Sequence, residues 1–160
     1  MRPVLLDNTV LTNLALVSRA DLVMRLWPTT ACTTPAVLAE YDAGAVSRSL
    51  PPDAWVDLPI VTLTREEATL VSALPARLGA GERTCLAVAV HRRGLLASDD
   101  MDARRAVRQH SVSVTGTVGI LVLCVQQGYL ARGQADALLS EMIALGYRSP
   151  VASLDGLIGD

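Results

Sequence analysis

The chain has 160 residues, 51% of them hydrophobic and 19% charged, with a net charge of −2. That is about one domain of sequence with enough apolar surface for a core, which excludes a disordered chain, and its acidic balance excludes a protein that coats nucleic acid by charge alone. Aromatics are 3%, Phe is absent and all 14 cationic residues are Arg, which excludes base-stacking platforms and every mechanism that needs a lysine, such as P-loop nucleotide hydrolysis or Schiff-base chemistry.

Pro3-Val-Leu-Leu6 is a continuous apolar run ending at Asp7, the pattern of a buried parallel strand. Helical spacing follows from Thr9 to about Val17 and again around Leu22–Leu26, and Thr30-Ala-Cys-Thr33 reads as a second strand. Thr34-Pro35 supplies an N-cap with proline at the first helical position, opening a helix through Glu40 to about Gly44. Residues 49–57, with Pro51-Pro52, read as a loop, Ile60–Leu63 as a strand, and Thr64-Arg-Glu-Glu67 as a capping box that opens the next helix. Gly79-Ala-Gly81 breaks the chain before a helix over Glu82–Arg93, which Gly94 closes. Leu95–Ser98 is a strand ending at Asp99-Asp100, Asp102–His110 a charged helix and Val112–Val114 a strand. Thr117–Gln127 is an apolar helix and Gln134–Leu145 the last amphipathic one. Short apolar strands alternating with helices mean βαβ units, hence an α/β domain with a mainly parallel sheet and helices on both faces. A single domain over residues 1–148 is expected, with 149–160 as a poorly patterned tail.

The longest apolar run, Val118–Val125, falls far short of the roughly 20 residues of a membrane-spanning helix. Asp7 interrupts the first apolar stretch, and no signal-peptide cleavage site follows it. Cys32, Cys85 and Cys124 are odd in number, widely spaced and each inside an apolar segment. That is the pattern of buried thiols in a reducing cytoplasm, so a cytoplasmic protein with no membrane partner is expected.

Open α/β sheets bind ligands beyond the carboxyl ends of their strands. Asp7 follows the first strand, and Asp99 with Asp100 follows the Leu95–Ser98 strand. Glu82 opens its helix, and Glu40 lies nearly two turns into the helix that starts at Thr34-Pro35, beside the apolar Val37, Leu38 and Tyr41. Each acid alone has an ordinary use: a cap for Asp7, Asp99 or Asp100, a favourable helix dipole for Glu82, a solvated helix face for Glu40. Brought into one crevice, they would repel one another unless a cation neutralised them, and an all-oxygen set suits Mg²⁺ or Mn²⁺. Competing motifs fail. Asp7-Asn8-Thr9 lacks the second Asp of a haloacid-dehalogenase-type phosphatase, and Gly79-Ala-Gly81-Glu-Arg-Thr84 lacks the third Gly of the dinucleotide fingerprint. His91 and His110 have no Ser or Cys elbow near them and read as structural.

Val4-Leu-Leu-Asp-Asn-Thr-Val-Leu11 resembles the opening strand and first acid of PIN-domain nucleases, which include the VapC-type toxins. Thr34-Pro-Ala-Val-Leu-Ala-Glu40 resembles their second segment, and Leu78–Ala89 resembles a Gly-Glu-led helix of one branch. In that branch an acid-pair strand end followed by Arg, here Asp99 to Arg104, precedes a Val-Thr-Gly-Thr segment, here Val114–Thr117. The match runs in order from about residue 3 to 130. The resemblance implies a PIN-like three-layer α/β/α sandwich and Mg²⁺- or Mn²⁺-dependent hydrolysis of RNA phosphodiester bonds. It implies Asp7, Glu40, Glu82 and Asp99 as catalytic acids and Asp7, Glu82, Asp99 and Asp100 at the metal, with Thr9 in support. Arg83, Arg104, Arg105 and Arg108 are the expected substrate contacts. A VapC-type toxin would also have a separate antitoxin partner and form a homodimer. Thr84 departs from the pattern, since family members often carry an acid there. A catalytically weak interaction module and a DNA-directed nuclease therefore remain open beside the ribonuclease.

Overall fold

Val4-Leu5-Leu6 forms β1 (Val4–Leu6), buried on both faces, as a strand in a helix-covered parallel sheet must be. The computed structural model describes residues 2–159. β1 lies between β2 (Ala31–Cys32) and β3 (Leu95–Ala97), and β3 pairs in turn with β4 (Ser113–Thr115). Every pairing is parallel, with Leu5 opposite Cys32 on one side and Leu96 on the other, and Ala97 opposite Thr115.

The helices are α1 (Asn8–Leu16), α2 (Asp21–Leu26), α3 (Pro35–Ala45), α4 (Arg65–Ala73), α5 (Ala80–Arg92), α6 (Met101–Gln109), α7 (Thr117–Gln126) and α8 (Arg132–Ala144). Their starts carry the caps their sequences provide. Thr34 accepts the Val37 N–H at 3.3 Å, and Thr64 with Glu67 forms a complete capping box. Glu67 is 1% exposed, yet its carboxylate also holds Arg92 of α5 at 2.7 Å, so α4 is tied to α5 by an ion pair as well as by packing. Two groups of helices cover the sheet: α5 with α3, α4 and α6, and α7 with α1, α2 and α8. This is the α/β/α sandwich. The expected strand at Ile60–Leu63 does not form; only an isolated bridge joins Ile60 to Thr33. Pro59 has no N–H to extend the ladder, and β2 on its other side is itself only two residues long. Residues after α8 pack back onto it, for Leu154 is buried and its N–H donates to Asp136 at 2.7 Å.

The strand order β2-β1-β3-β4 decides where the site lies. The chain leaves β1 for β2 on one side, then returns to β3 on the other, so the topological switch point falls between β1 and β3. The carboxyl ends there carry Asp7 and Ser98-Asp99-Asp100. The close packing of that strand pair is testable at Gly94. A Cβ there would lie 2.6 Å from the Pro3 carbonyl oxygen, which accepts the Leu95 N–H that starts the β1–β3 pairing. Gly94→Ala is expected to cost about 1–3 kcal/mol in urea denaturation, the usual range for overpacking; an unchanged midpoint would mean that the strand pair yields freely.

Candidate active site

Asp7 is 1% exposed at the end of β1. Its Oδ1 accepts the Asn8 N–H at 2.8 Å, and its Oδ2 accepts the Ser98 hydroxyl at 2.7 Å. Burial pushes the carboxyl up to about 7 against the pull of those two hydrogen bonds, with further upward pushes from the charges of Glu82 and Glu40. Ser98 also accepts the Asp100 N–H at 3.1 Å, so one hydroxyl joins the end of β1 to the start of α6.

Glu40 reaches across from α3 and accepts the Gly81 N–H at 2.9 Å. Glu82, at the third position of α5, accepts the Gly79 N–H in the manner of a capping box. The two glycines make room for these carboxylates. A Cβ on Gly81 would sit 2.7 Å from Glu40 Oε2, and one on Gly79 would sit 2.9 Å from Glu82 Oε2. Burial raises the Glu82 carboxyl above its ordinary value, opposed by the Gly79 N–H and reinforced by the charges of Asp100, Glu40 and Asp102. Glu40 thus adds to the upward push on both Asp7 and Glu82.

Asp100 caps α6, its Oδ1 accepting the Ala103 N–H at 2.9 Å, and its other oxygen takes no hydrogen bond among the described residues. Asp99 faces elsewhere. Its Oδ1 accepts the Thr117 N–H at 2.8 Å and the Tyr147 hydroxyl at 3.1 Å; its Oδ2 accepts the Asn13 amide at 3.1 Å and the Thr117 hydroxyl. It therefore caps α7 from another element and binds α1, α7 and the C-terminal segment together. Burial and the Asp99 carboxylate push the Tyr147 hydroxyl up, which keeps it a donor. Thr9 supports the same corner by accepting the Asp99 N–H at 3.0 Å. Thr84, where an acid was the family expectation, bonds Thr34 at 2.8 Å and the Gly81 carbonyl at 2.9 Å, so it steadies α3 against α5.

Of the expected substrate contacts, Arg104 stands beside the site, donating to the Ser98 carbonyl at 3.1 Å. Arg83 is half-buried and its Nε has no hydrogen-bond partner. Arg105 and Arg108 lie on the solvent side of α6, opposite its buried residues Ala103, Ala106 and Val107. Arg105 pairs with Asp102 at 3.8 Å, and Arg108 is two turns beyond the acids, roughly 12 Å along the axis. The sequence pattern did not single out Ser98, Asn13 or Tyr147, whose hydrogen bonds hold Asp7 and Asp99. Asn13 carried one legible signal, a polar residue inside the apolar stripe of α1; Tyr147 lies in an irregular segment and carried none.

Hard divalent cations take oxygen donors, and Mg²⁺ is commonly held by one or two carboxylates with the substrate phosphate and water completing its shell. Asp7, Glu82 and Asp100 are the oxygen donors such an ion would take, and the missing Cβ atoms of Gly79 and Gly81 leave space for the Glu82 and Glu40 carboxylates. Among the described residues no three acidic, histidine or cysteine side chains are close enough to hold a metal ion by themselves, so an ion there would need substrate and water to complete its shell. All three cysteines are free and buried, and no described helix is long and apolar enough to cross a membrane. A family model described as a PIN domain matches residues 3–158. No curated protein matches the chain.

Proposed function

From the membership of this chain in the PIN-domain family, whose members are generally nucleases that use divalent metals, we propose that it is a metal-dependent ribonuclease cutting single-stranded RNA. The observation that carries this reading is geometric: the Ser98 hydroxyl joins Asp7 to the start of α6 at Asp100, and Glu40 reaches the start of α5 at Gly81, beside the switch point between β1 and β3. Asp7, Asp100 and Glu82 would hold Mg²⁺ or Mn²⁺. The ion supplies a lower pKa for an attacking water and neutralises charge on the phosphate. Ser98 keeps Asp7 oriented through its hydroxyl. Glu40 has one oxygen on the Gly81 amide and the other without a hydrogen bond, so it can orient the attacking water or take its proton. Asp99 takes two donors on each oxygen, where Asp7 takes one, and so serves as the clasp that sets the position of its neighbour Asp100.

The test is incubation of labelled single-stranded RNA, the same DNA sequence and branched DNA with Mn²⁺ or with EDTA. Internal cleavage of RNA that EDTA stops is the expected result. Preference for branched DNA would replace RNA as the substrate, and no cleavage of any nucleic acid would overturn the enzyme. The interaction-module reading draws on the same incomplete cage of acids; calorimetric titration with Mn²⁺ separates it, since a module without a metal site shows no binding in the millimolar range. Gly81→Ala adds a sharper check. The new Cβ displaces the Glu40 carboxylate and lies 3.1 Å from the buried Val37 Cγ2, which offsets the helix preference of alanine, so cleavage is expected to fall about tenfold with thermal stability lowered by about 1 kcal/mol or less. The narrower reading as an antitoxin-controlled, homodimeric toxin follows the resemblance, and inhibition by the product of an adjacent short reading frame would support it.

A further inference from the structure

A cleft of about 670 Å³, bordered by Asp99 but not by Asp7, Glu40, Glu82 or Asp100, opens between the start of α6, the start of α7 and the C-terminal segment. It shares Asp99, Met101, Tyr147 and Arg148 with a second hollow of about 490 Å³ that borders Asp100 and Arg48. The two make one continuous groove past the site. The walls of the larger cleft are mainly apolar, with Val118, Val151 and Leu157 among them, and Met101 stands 60% exposed where the two hollows meet. Along the groove are three cations, Arg48, Arg104 and Arg148, none of which forms an ion pair among the described residues. Asp99, the only carboxylate among the described residues lining the larger cleft, already accepts from Thr117, Tyr147 and Asn13.

An occupant that suits this groove is flat and mainly apolar in one part and anionic at regular intervals along the rest. We infer that the larger cleft seats an unpaired base of single-stranded RNA, next to the phosphate presented to the acids, with the flanking phosphates on Arg104 and Arg148. The volume lies within the usual range of pockets for small organic ligands. A base in a duplex cannot leave its stack to enter such a cleft without unpairing, which makes the groove selective for single strands. Arg suits the phosphate contact because its planar fork matches two phosphate oxygens. Tyr147 is the one aromatic among the described residues lining the larger cleft, and its hydroxyl is tied to Asp99, so the base is enclosed mainly by aliphatic walls. The inference rests on the ribonuclease reading for the identity of the strand, but the cleft can be tested without catalysis.

Binding of two ribotrinucleotides, one of uridines and one of adenosines, is measured in EDTA by amide NMR shifts, against a trinucleotide of abasic ribose phosphates. The expected result is shifts at Val118, Val151 and Leu157 with the base-bearing probes and binding about tenfold weaker for the abasic one. Val118→Trp, which fills the cleft, should remove that difference, and Leu157→Trp, at an exposed position, does the same should the first variant misfold. Arg148→Ala should weaken all three probes alike. Equal binding of base-bearing and abasic probes, or shifts confined to residues outside the cleft, would overturn the base pocket, including in favour of a protein segment as its occupant. Mn²⁺-dependent cleavage of a longer RNA by the same wild-type sample separates the two failures. Cleavage together with equal binding of base-bearing and abasic probes sinks the pocket alone, whereas base-dependent binding without cleavage sinks the nuclease alone.

Discussion

Asp7→Asn is expected to abolish Mn²⁺-dependent cleavage, by about a thousandfold or more, and at the same time to make the ion-free protein more stable at pH 8. The two effects have one cause. Burial holds the Asp7 carboxyl at about 7 in the fold against an ordinary value of 3.8. The folded chain therefore binds this proton more tightly than the unfolded chain does. Stability from this group is complete below pH 4, declines as pH rises from about 4 to 7, and is lost above that. The difference corresponds to on the order of 4 kcal/mol at pH 8. Asparagine has the same shape without the charge; its oxygen can still accept the Asn8 N–H, and its amide can donate to Ser98. Urea denaturation in EDTA from pH 5 to 8 checks this: the wild type should lose stability across the window while the variant stays flatter. A variant less stable than wild type at pH 8 would remove the strained-carboxylate account. Cleavage that survives in the variant would remove Asp7 from the chemistry. Mn²⁺ binding by the wild type below pH 7 should release protons, because the ion needs the charged form.

The second large effect separates the two adjacent acids after β3. Asp100→Asn is expected to lower cleavage at least about 100-fold, since it removes a charge from the proposed ion site. Its stability should change by less than about 0.5 kcal/mol, because asparagine caps a helix as well as aspartate. Asp99→Asn should do the reverse. Its new amide would confront Asn13, Thr117 and Tyr147, which all donate to the carboxylate in the folded protein. The loss is expected to be about 3 kcal/mol, as for a buried charged acceptor with partners left unsatisfied. Cleavage below the lowered midpoint should stay within about tenfold of wild type. Thermal denaturation paired with single-turnover cleavage distinguishes the roles. An inactive but fully stable Asp99→Asn would assign the ion to Asp99 and return Asp100 to capping alone.

The alternation of elements, the helix caps at Thr34 and Thr64, and the strand-end position of Asp7 were all legible along the chain. Each depends on short-range physics: hydrophobic period, a side-chain oxygen a few residues from an unpaired N–H, a proline at the first helical turn. The strand expected at Ile60–Leu63 failed because a strand needs a partner, and the local pattern says nothing of whether one is beside it. The role of Gly79 and Gly81 was half legible. They mark a chain break in the sequence, but only packing of α3 on α5 brings the Glu40 carboxylate into the space their missing Cβ atoms leave.

The sequence by itself determined the α/β class and named a set of acids from which the site is built. Only the tertiary structure decided that Asp99 turns to Asn13, Thr117 and Tyr147 while Asp100 caps α6 through one oxygen, and that Arg148, not Arg108, borders the same groove. Element type follows from interactions between residues a few positions apart. The direction in which one of two neighbouring carboxylates points is set by donors brought in from 18 to 86 positions away, those of Thr117, Tyr147 and Asn13, and no local pattern carries that information.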